Sequence, residues 1–376
     1  MARYYVIAGE SSGDMHGANL MKSIRTLDPD AGFRFWGGDR MSAVAGEPVR
    51  HVSDLAFMGF WEVLINLKKI LKNIRFCKQD LLRYNPDVLI LIDYPGFNLR
   101  MAQFAAKHNI KVVYYISPQI WAWKQNRIKT IRKTVDKMLV ILPFEQDFYK
   151  RLGMEVEFTG HPLLDELIPL KETSRYDDFR SDNNLDDTPI VALLPGSRKQ
   201  EVSRMLRGMT EAAGNFPDHQ FVVAGVSSLG MHFYKSYTGA SNVSVVLDQT
   251  YALLANARAA LVASGTATLE TALFGVPQAV CYKANVVSYH IARKLVNIKF
   301  ISLVNLIMDK AVLQELIQHN FNPAAVQCEL QRLLFDEAYR NSMQSEYRQV
   351  YERLGGTGAS RKAAEHIIDV VGYVNQ

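Results

Sequence analysis

A chain of 376 residues suffices for two domains with full cores, which excludes a disordered tail protein or a small stapled scaffold. Its 48% hydrophobic and 22% charged content is that of a globular protein, and no apolar run approaches the roughly 18 residues needed to span a bilayer. The net charge of +5 conceals an asymmetry: residues 61–140 hold 15 Lys and Arg against 5 Asp and Glu, a surplus that fits nucleic acid, an anionic membrane surface or a phosphorylated substrate.

Short β-rich runs alternate with amphipathic helix-length stretches almost from end to end, the pattern of βα units building parallel sheets. In the first half the expected strands are Tyr4–Ala8, Phe33–Trp36, Val88–Ile92, Val112–Ile116 and Met138–Leu142. In the second they are Ile190–Leu194, Phe221–Ala224, Val243–Val246, Ala260–Val262 and Gln278–Cys281. The polar stretch from Lys171 to Pro189 reads as the approach to a second domain, with the boundary near Gly160 to Asp165. Past Pro277 helices are expected to replace strands. Gly355 to Gly358 then breaks the chain before a last helix that can pack back on the first domain. The expected division is 1–163, completed by 359–376, and 164–354. The N-terminal apolar run is too short for a signal peptide and is closed by Glu10, so the chain is expected in the cytosol. Cys77, Cys281 and Cys328 have neither an even count nor metal-ligand spacing and read as thiols in a reducing compartment.

Four loops at strand ends are candidates for chemistry. Gly9 to Asp14 follows the first strand and opens a helix; the ordinary reading is a βα turn with Ser12 or Asp14 as N-cap, the functional one a ligand-facing turn using Gly13. Asp93 stands at the end of an apolar strand, either a turn residue before Pro95 or a general base for a hydroxyl. In Pro195-Gly196-Ser197-Arg198-Lys199-Gln200, Ser197 and Gln200 have capping-box spacing, yet Arg198 and Lys199 place cations where the helix dipole disfavours them, which suits a bound diphosphate. Ser264-Gly265-Thr266 with Glu270 is either a capped helix start or a backbone cradle beside a carboxylate that can accept from a sugar diol. None of the nine histidines forms an H-x-x-x-H pair, so no metal and no cofactor is expected; His161 in Gly160-His161-Pro162 reads as a structural histidine or a ligand contact at the junction.

Residues 57–76, read as a helix at about 100° per residue, put Phe60, Val63, Leu64, Leu67, Ile70, Leu71 and Ile74 on the face expected to be buried. Phe57, Met58, Trp61 and Ile65 form a second, outward stripe that continues in Lys68, Lys69, Lys72 and Arg75. That stripe suits either insertion at a lipid headgroup boundary or contact with another protein segment.

Taken together, these loops resemble the bacterial lipid-A-disaccharide synthases along nearly the whole chain. The matching stretches are Gly9 to Asp14, Leu55 to Gly59 with Glu62 to Leu64, Ile92 to Asn98, Ile116 to Trp123, Leu142 to Glu145, Gly160 to Pro162, Leu194 to Arg198, Ser264 to Glu270 and Ser302 to Leu306. The block holding Trp121 and Trp123 and the ordered set are specific; any single glycine loop is not. The resemblance implies a GT-B fold, two Rossmann-like α/β domains facing across a cleft, without a bound metal. It also implies transfer of 2,3-diacylglucosamine from UDP-2,3-diacylglucosamine to 2,3-diacylglucosamine 1-phosphate, giving a β(1→6) disaccharide and UDP.

By position in the family, Asp93 matches the proposed base, Arg198 and Glu270 nucleotide-sugar contacts, and Asn305 a functionally important asparagine. The N-terminal domain is then the acceptor and membrane side, with Ser12, Gly13, Asp14, Trp121, Trp123 and His161 near it. The second binds the UDP-sugar through Gly196, Ser197, Arg198, Ser264, Gly265, Thr266, Glu270 and Asn305. Partners implied are the two lipid sugars and the cytoplasmic face of the inner membrane, with no nucleic acid; a homodimer is compatible with the sequence. The family often has a second acid where this chain has Gly96, and Tyr94 replaces a small residue, so the burden of base catalysis falls on Asp93. A UDP-sugar epimerase of the same architecture and a catalytically silent nucleotide-sugar-binding protein stay open.

Overall fold

A computed structural model describes residues 2–54, 67–171, 176, 178–239, 242–285, 289, 293, 296 and 298–372. The chain divides into two compact units, Met1–Asp165 with Leu354–Gln376, and Glu166–Arg353. Both are α/β, with a parallel sheet between layers of helices.

Unit 1 contains β1 (Arg3–Ala8), α1 (Ser11–Leu27), β2 (Gly32–Gly37), α2 (Asp39–Ala45), β3 (Arg50–His51), α3 (Leu67–Tyr84), β4 (Val88–Ile92), α4 (Pro95–Lys107), β5 (Lys111–Tyr115), α5 (Ile128–Thr134), β6 (Lys137–Val140), α6 (Pro143–Arg151) and β7 (Glu157–Phe158). Its sheet runs β3-β2-β1-β4-β5-β6-β7. The central strands are continuous apolar runs because both faces are covered; every residue of β4 is buried. Strand order reverses between β1 and β4, which leaves a crevice beyond their carboxyl ends, where open α/β sheets bind ligands.

Helix α7 (Leu163–Lys171) carries the chain into unit 2, which contains α8 (Phe179–Asp182), β8 (Ile190–Leu194), α9 (Lys199–Thr210), β9 (Gln220–Gly225), α10 (Met231–Lys235), β10 (Val243–Leu247), α11 (Thr250–Asn256), β11 (Ala257–Ala263), α12 (Thr266–Leu273), β12 (Gln278–Tyr282), α13 (Leu303–Met308), β13 (Glu315–Ile317), α14 (Pro323–Phe335) and α15 (Glu337–Arg353). The order is β10-β9-β8-β11-β12-β13, so the reversal falls between β8 and β11. The loops after those two strands are the two proposed from sequence for the nucleotide.

The ten expected strands are all present. The sequence reading missed β3, β7 and β13, edge strands of two or three residues, too short to show a period of two. Helix α3 also corrects an expectation: Ile74, Cys77 and Leu81 are buried, but Leu71, assigned to the buried face, is 53% exposed. Its inner face is set by a polar lock. Asp80 accepts a two-pronged bond from Arg34 at 2.6 and 2.7 Å and a third from the Tyr5 phenol at 2.7 Å, while Trp36 Nε1 donates to that phenol at 2.9 Å. Burial pushes the Asp80 carboxyl up, but Arg34 and Tyr5 outweigh it and hold its pKa below the ordinary value. Residues 55–66, including Phe57, Met58, Phe60, Trp61, Val63, Leu64 and Ile65, lie outside the described residues.

The last helix, α16 (Ala359–Val371), packs on α1 within unit 1. Asp165 fixes its start by accepting from Gly358 N at 2.5 Å and Ser360 N at 2.8 Å, taking up N–H groups that a helix start leaves orphaned. Asp165→Ala is expected to cost about 1 kcal/mol, the usual worth of such a cap, read by chemical denaturation; no change in stability would mean water replaces the carboxylate.

Candidate active site

In unit 1 the crevice edge is built where β4 ends. Asp93 and Tyr94 both adopt left-handed backbone, with φ of 43° and 47°. Such non-glycine residues cost of order 1–3 kcal/mol each and persist only when their surroundings hold them. Here the Asp93 carbonyl accepts from Asn98 Nδ2 at 2.8 Å and the Tyr114 phenol at 2.6 Å, and its N–H donates to the Tyr115 carbonyl at 3.2 Å. Tyr94 stacks on Phe97 at 5.7 Å, and its ring occupies the space a side chain at position 9 would need: a Cβ on Gly9 would come within 2.3 Å of it. The glycine of the first loop therefore serves the close approach of Tyr94. Burial, then the charge of Glu10, raises the Asp93 carboxyl to about 7, against a smaller pull from the Tyr94 N–H. Glu10 as the neighbour of Asp93 was not anticipated from sequence, since 83 positions separate them and only the sheet order brings β1 and β4 together.

The N-cap of α1 is Glu10, not Ser12 or Asp14. Ser12 is exposed, and Gly13 packs against Ala8 and Ile92. Asp14 is buried and accepts from Gly38 N at 2.6 Å, Arg40 N at 3.1 Å and Met41 N at 3.1 Å, so its carboxylate is occupied in anchoring the start of α2. After β5, Ile116 takes a left-handed φ of 64° and leads into Ser117, whose hydroxyl donates to Glu145 at 2.5 Å. Glu145 also accepts from Ile141 N and Leu142 N at 3.2 and 3.0 Å. Burial raises its carboxyl to about 7 despite these donors. This lock fixes the loop carrying Trp121, edge-on to Phe144 at 5.1 Å, and Trp123, which is 43% exposed. His161 is buried, its Nδ1 accepting from Leu163 N at 3.2 Å; burial, then the charge of His16, lowers its pKa to about 3, which keeps the ring neutral.

In unit 2, α9 starts with Arg198 as N-cap, so the anticipated Ser197–Gln200 capping box does not form. Gly196 has φ of 100°, which only glycine adopts readily. Arg198 Nη1 donates to Glu201 at 2.8 Å, so first-turn acid partly offsets the cations there. After β11, Gly265 caps α12 with φ of 148°, and neither Ser264 nor Thr266 supplies a side-chain cap bond. The Ser264 hydroxyl instead donates to the Ile301 carbonyl at 2.9 Å. Beside this open helix start, burial alone raises the Glu270 carboxyl to about 7, and its oxygens have no hydrogen-bond partner among the described residues.

Across the same helix starts a sequence model of the family described as lipid-A-disaccharide synthetase matches residues 4–368. The lipid-A-disaccharide synthase of Trichlorobacter lovleyi is 40% identical over 376 residues, covering 98% of this chain and 97% of its relative; that of Syntrophus aciditrophicus is 40% identical over 366 residues, covering 96% and 95%. The chain belongs to the lipid-A-disaccharide synthase family. It is therefore a glycosyltransferase of lipid A biosynthesis. Among solved structures, a Staphylococcus aureus MnaA complex with UDP superposes with a TM-score of 0.71 at 12% identity, covering 100% of this chain and 98% of that one. The calicheamicin glycosyltransferase gives 0.62 at 16%, covering 100% of both chains. At these identities the likeness establishes the GT-B fold alone.

Among the residues expected to contact the UDP-sugar, Asn305 is placed differently from a direct contact. It is fully buried; its Nδ2 donates to the Leu313 carbonyl and Glu315, both at 3.0 Å, and its Oδ1 accepts from Val312 N and Leu313 N, both at 2.8 Å. The amide has no capacity left for a nucleotide. Glu315, missed in the sequence, in turn accepts from Ile301 N and Ser302 N at 3.1 and 2.9 Å, and Ile301 holds Ser264. Asn305 thus reaches the Ser264 loop through two intermediates.

Proposed function

We propose that this synthase transfers 2,3-diacylglucosamine from UDP-2,3-diacylglucosamine to the 6-hydroxyl of 2,3-diacylglucosamine 1-phosphate with inversion, releasing UDP. The observation that carries the reading is Asp93: a carboxylate with a pKa of about 7, on a backbone pinned at the crevice end of β4, suits proton removal from a hydroxyl near neutral pH. As that proton leaves, the alkoxide-like oxygen attacks the anomeric carbon from the face opposite UDP. Charge developing on the leaving diphosphate is met by Arg198 and by the N–H groups at the starts of α9 and α12, while Glu270 accepts from the ribose diol. The complexes of the Neisseria meningitidis UDP-GlcNAc 2-epimerase with UDP-GlcNAc and of MnaA with UDP support a UDP-sugar for this architecture. Incubation with both lipid sugars should yield UDP and disaccharide in equal amounts. An isomerised UDP-sugar without acceptor would establish the epimerase, and binding without turnover the silent protein.

Lys68, Lys69, Lys72 and Arg75 are exposed along α3, with Leu71 exposed among them. Among the described residues no helix is long and apolar enough to cross a membrane. An exposed leucine within a cationic stripe supports contact with an anionic lipid surface. Lys72→Ala is then expected to weaken sedimentation with anionic vesicles by ~1 kcal/mol, about fivefold, and binding should fall with salt. Binding indifferent to both would assign the stripe to protein contacts.

A further inference from the structure

The loop that follows β5 carries a second feature, independent of Asp93's carboxylate. From position 116 to 135 there is no acidic residue but there are five cations, Lys124, Arg127, Lys129, Arg132 and Lys133. Among the described residues none of the five has an ion-pair partner, whereas Lys111 and Lys137 nearby pair with Asp136 and Glu157. Two of the five lie against the same aromatic ring. Lys124 Nζ lies 4.4 Å from the centroid of the exposed Trp123 ring and the Arg127 guanidinium carbon 5.4 Å from it. The ring's quadrupole attracts each cation but neutralises neither.

The gathering is built into the backbone. Lys124 adopts a left-handed φ of 54°, and its carbonyl accepts from Arg127 N at 3.0 Å, which sets the pair one turn apart. Trp123 N donates to the Gln119 carbonyl at 3.3 Å, in the loop that Ser117 and Glu145 lock. Arg127 also lies within electrostatic reach of the Tyr114 phenol, whose pKa burial and the Asp93 charge raise and Arg127 pulls back. That phenol donates to the Asp93 carbonyl at 2.6 Å. Arg127 is therefore coupled electrostatically to a phenol that is bonded to the backbone of the proposed base.

We propose that Trp123, Lys124 and Arg127 form the subsite for the acceptor's phosphomonoester, a dianionic group on the same sugar ring as the attacking hydroxyl. The assignment rests on the functional reading above and deepens it. A phosphomonoester carries about −1.5 to −2 charge near neutral pH, enough to satisfy two unpaired cations at once, and the planar Arg127 fork can bind two of its oxygens. The hydroxyl and the phosphate belong to a single hexose, so the site that holds one must lie within a sugar's length of the base that deprotonates the other. The loop after β5 adjoins the end of β4, since Tyr114 at its base bonds the Asp93 carbonyl and β5 pairs with β4. Trp123 supplies an apolar face against which the sugar ring can lie. Such a site selects a phosphorylated acceptor and orients its hydroxyl, and it makes these three residues positioning and specificity residues for the transfer.

The test compares 2,3-diacylglucosamine 1-phosphate with the same acceptor lacking its phosphate, using the full chain and UDP-2,3-diacylglucosamine. In the wild type the phosphorylated acceptor should be preferred. Lys124→Ala with Arg127→Ala should raise KM for the phosphorylated acceptor at least tenfold and leave KM for the UDP-sugar within twofold, with a far smaller loss on the dephosphorylated acceptor, so that the preference collapses. Lys129→Ala, an exposed cation away from the ring, is the control and should behave as wild type. Equal losses on both acceptors would overturn the assignment, because the cations would then be serving the fold or the base. Unchanged kinetics with weaker sedimentation on phosphatidylglycerol vesicles would also overturn it, by moving the anion from the acceptor to a lipid headgroup. A wild-type chain that releases no UDP with either acceptor would instead remove the functional reading, and this subsite with it.

Discussion

Asp93→Asn is expected to keep the fold and UDP affinity while lowering kcat by about 10² or more, the scale usual for loss of a general base. The substitution is nearly isosteric, and the contacts that hold position 93 are made by its backbone, through Asn98, Tyr114 and Tyr115. Loss of rate without loss of structure would therefore report the carboxylate itself. The pH profile gives a second reading. A base must be ionised, so with a pKa of about 7 in the free enzyme, kcat/KM should fall as pH drops through 7. Glu10 contributes to that raised value, so Glu10→Gln should move the acid limb to lower pH. Turnover of the Asn variant within threefold of wild type would sink the assignment, and an acid limb that ignores position 10 would remove Glu10 from it.

The central strands were legible because burial on both faces leaves an unbroken apolar signature, as in β4 and β8, whose bounds are those read from the sequence. The candidate loops were legible for a related reason: in a parallel sheet, function concentrates where strands end, and glycine or a lone acid at such a point stands out. What sequence could not give was partnership. Capping-box spacing suggested that Ser197 would cap α9, but the strand-to-helix turn runs one residue longer through Gly196, and Arg198 takes the cap position. Asp14 looked available for a ligand, yet three N–H groups of another helix occupy it, and nothing local marks those 24 to 27 positions away. Asn305 matched a family position, but only the fold shows its amide saturated by the 312–315 segment. Leu71 was assigned inward by helical phase alone; the Asp80 lock with Arg34 and Tyr5 fixes a rotation of α3 that leaves it outside.

Glu270→Ala and Arg198→Ala should each weaken UDP by about 1.5–3 kcal/mol, the range for hydrogen bonds to charged groups. The motive is geometric in both cases. Glu270 sits one turn into α12, beside a helix start whose glycine cap supplies no side-chain bond, and its own oxygens have no partner among the described residues. Burial that lifts its pKa to about 7 means the ligand-free protein bears a cost for its charge, which two hydroxyl donors from a ribose would relieve. UDP affinity should then weaken as pH falls below 7, since the protonated acid accepts poorly, and Glu270→Gln should flatten that dependence. Stability moves the other way. The native state holds this proton more tightly than an unfolded chain, whose carboxyl has the ordinary value of 4.5, so the native state loses stability as pH rises from 4.5 through 7. Glu270→Gln is therefore expected to melt no lower than wild type at pH 8 while binding UDP less well. Calorimetry and thermal melting on the same samples separate the readings: affinity and stability falling together would make Glu270 a structural residue, and unchanged UDP affinity in both Glu270→Ala and Arg198→Ala would return the two loops to ordinary helix starts.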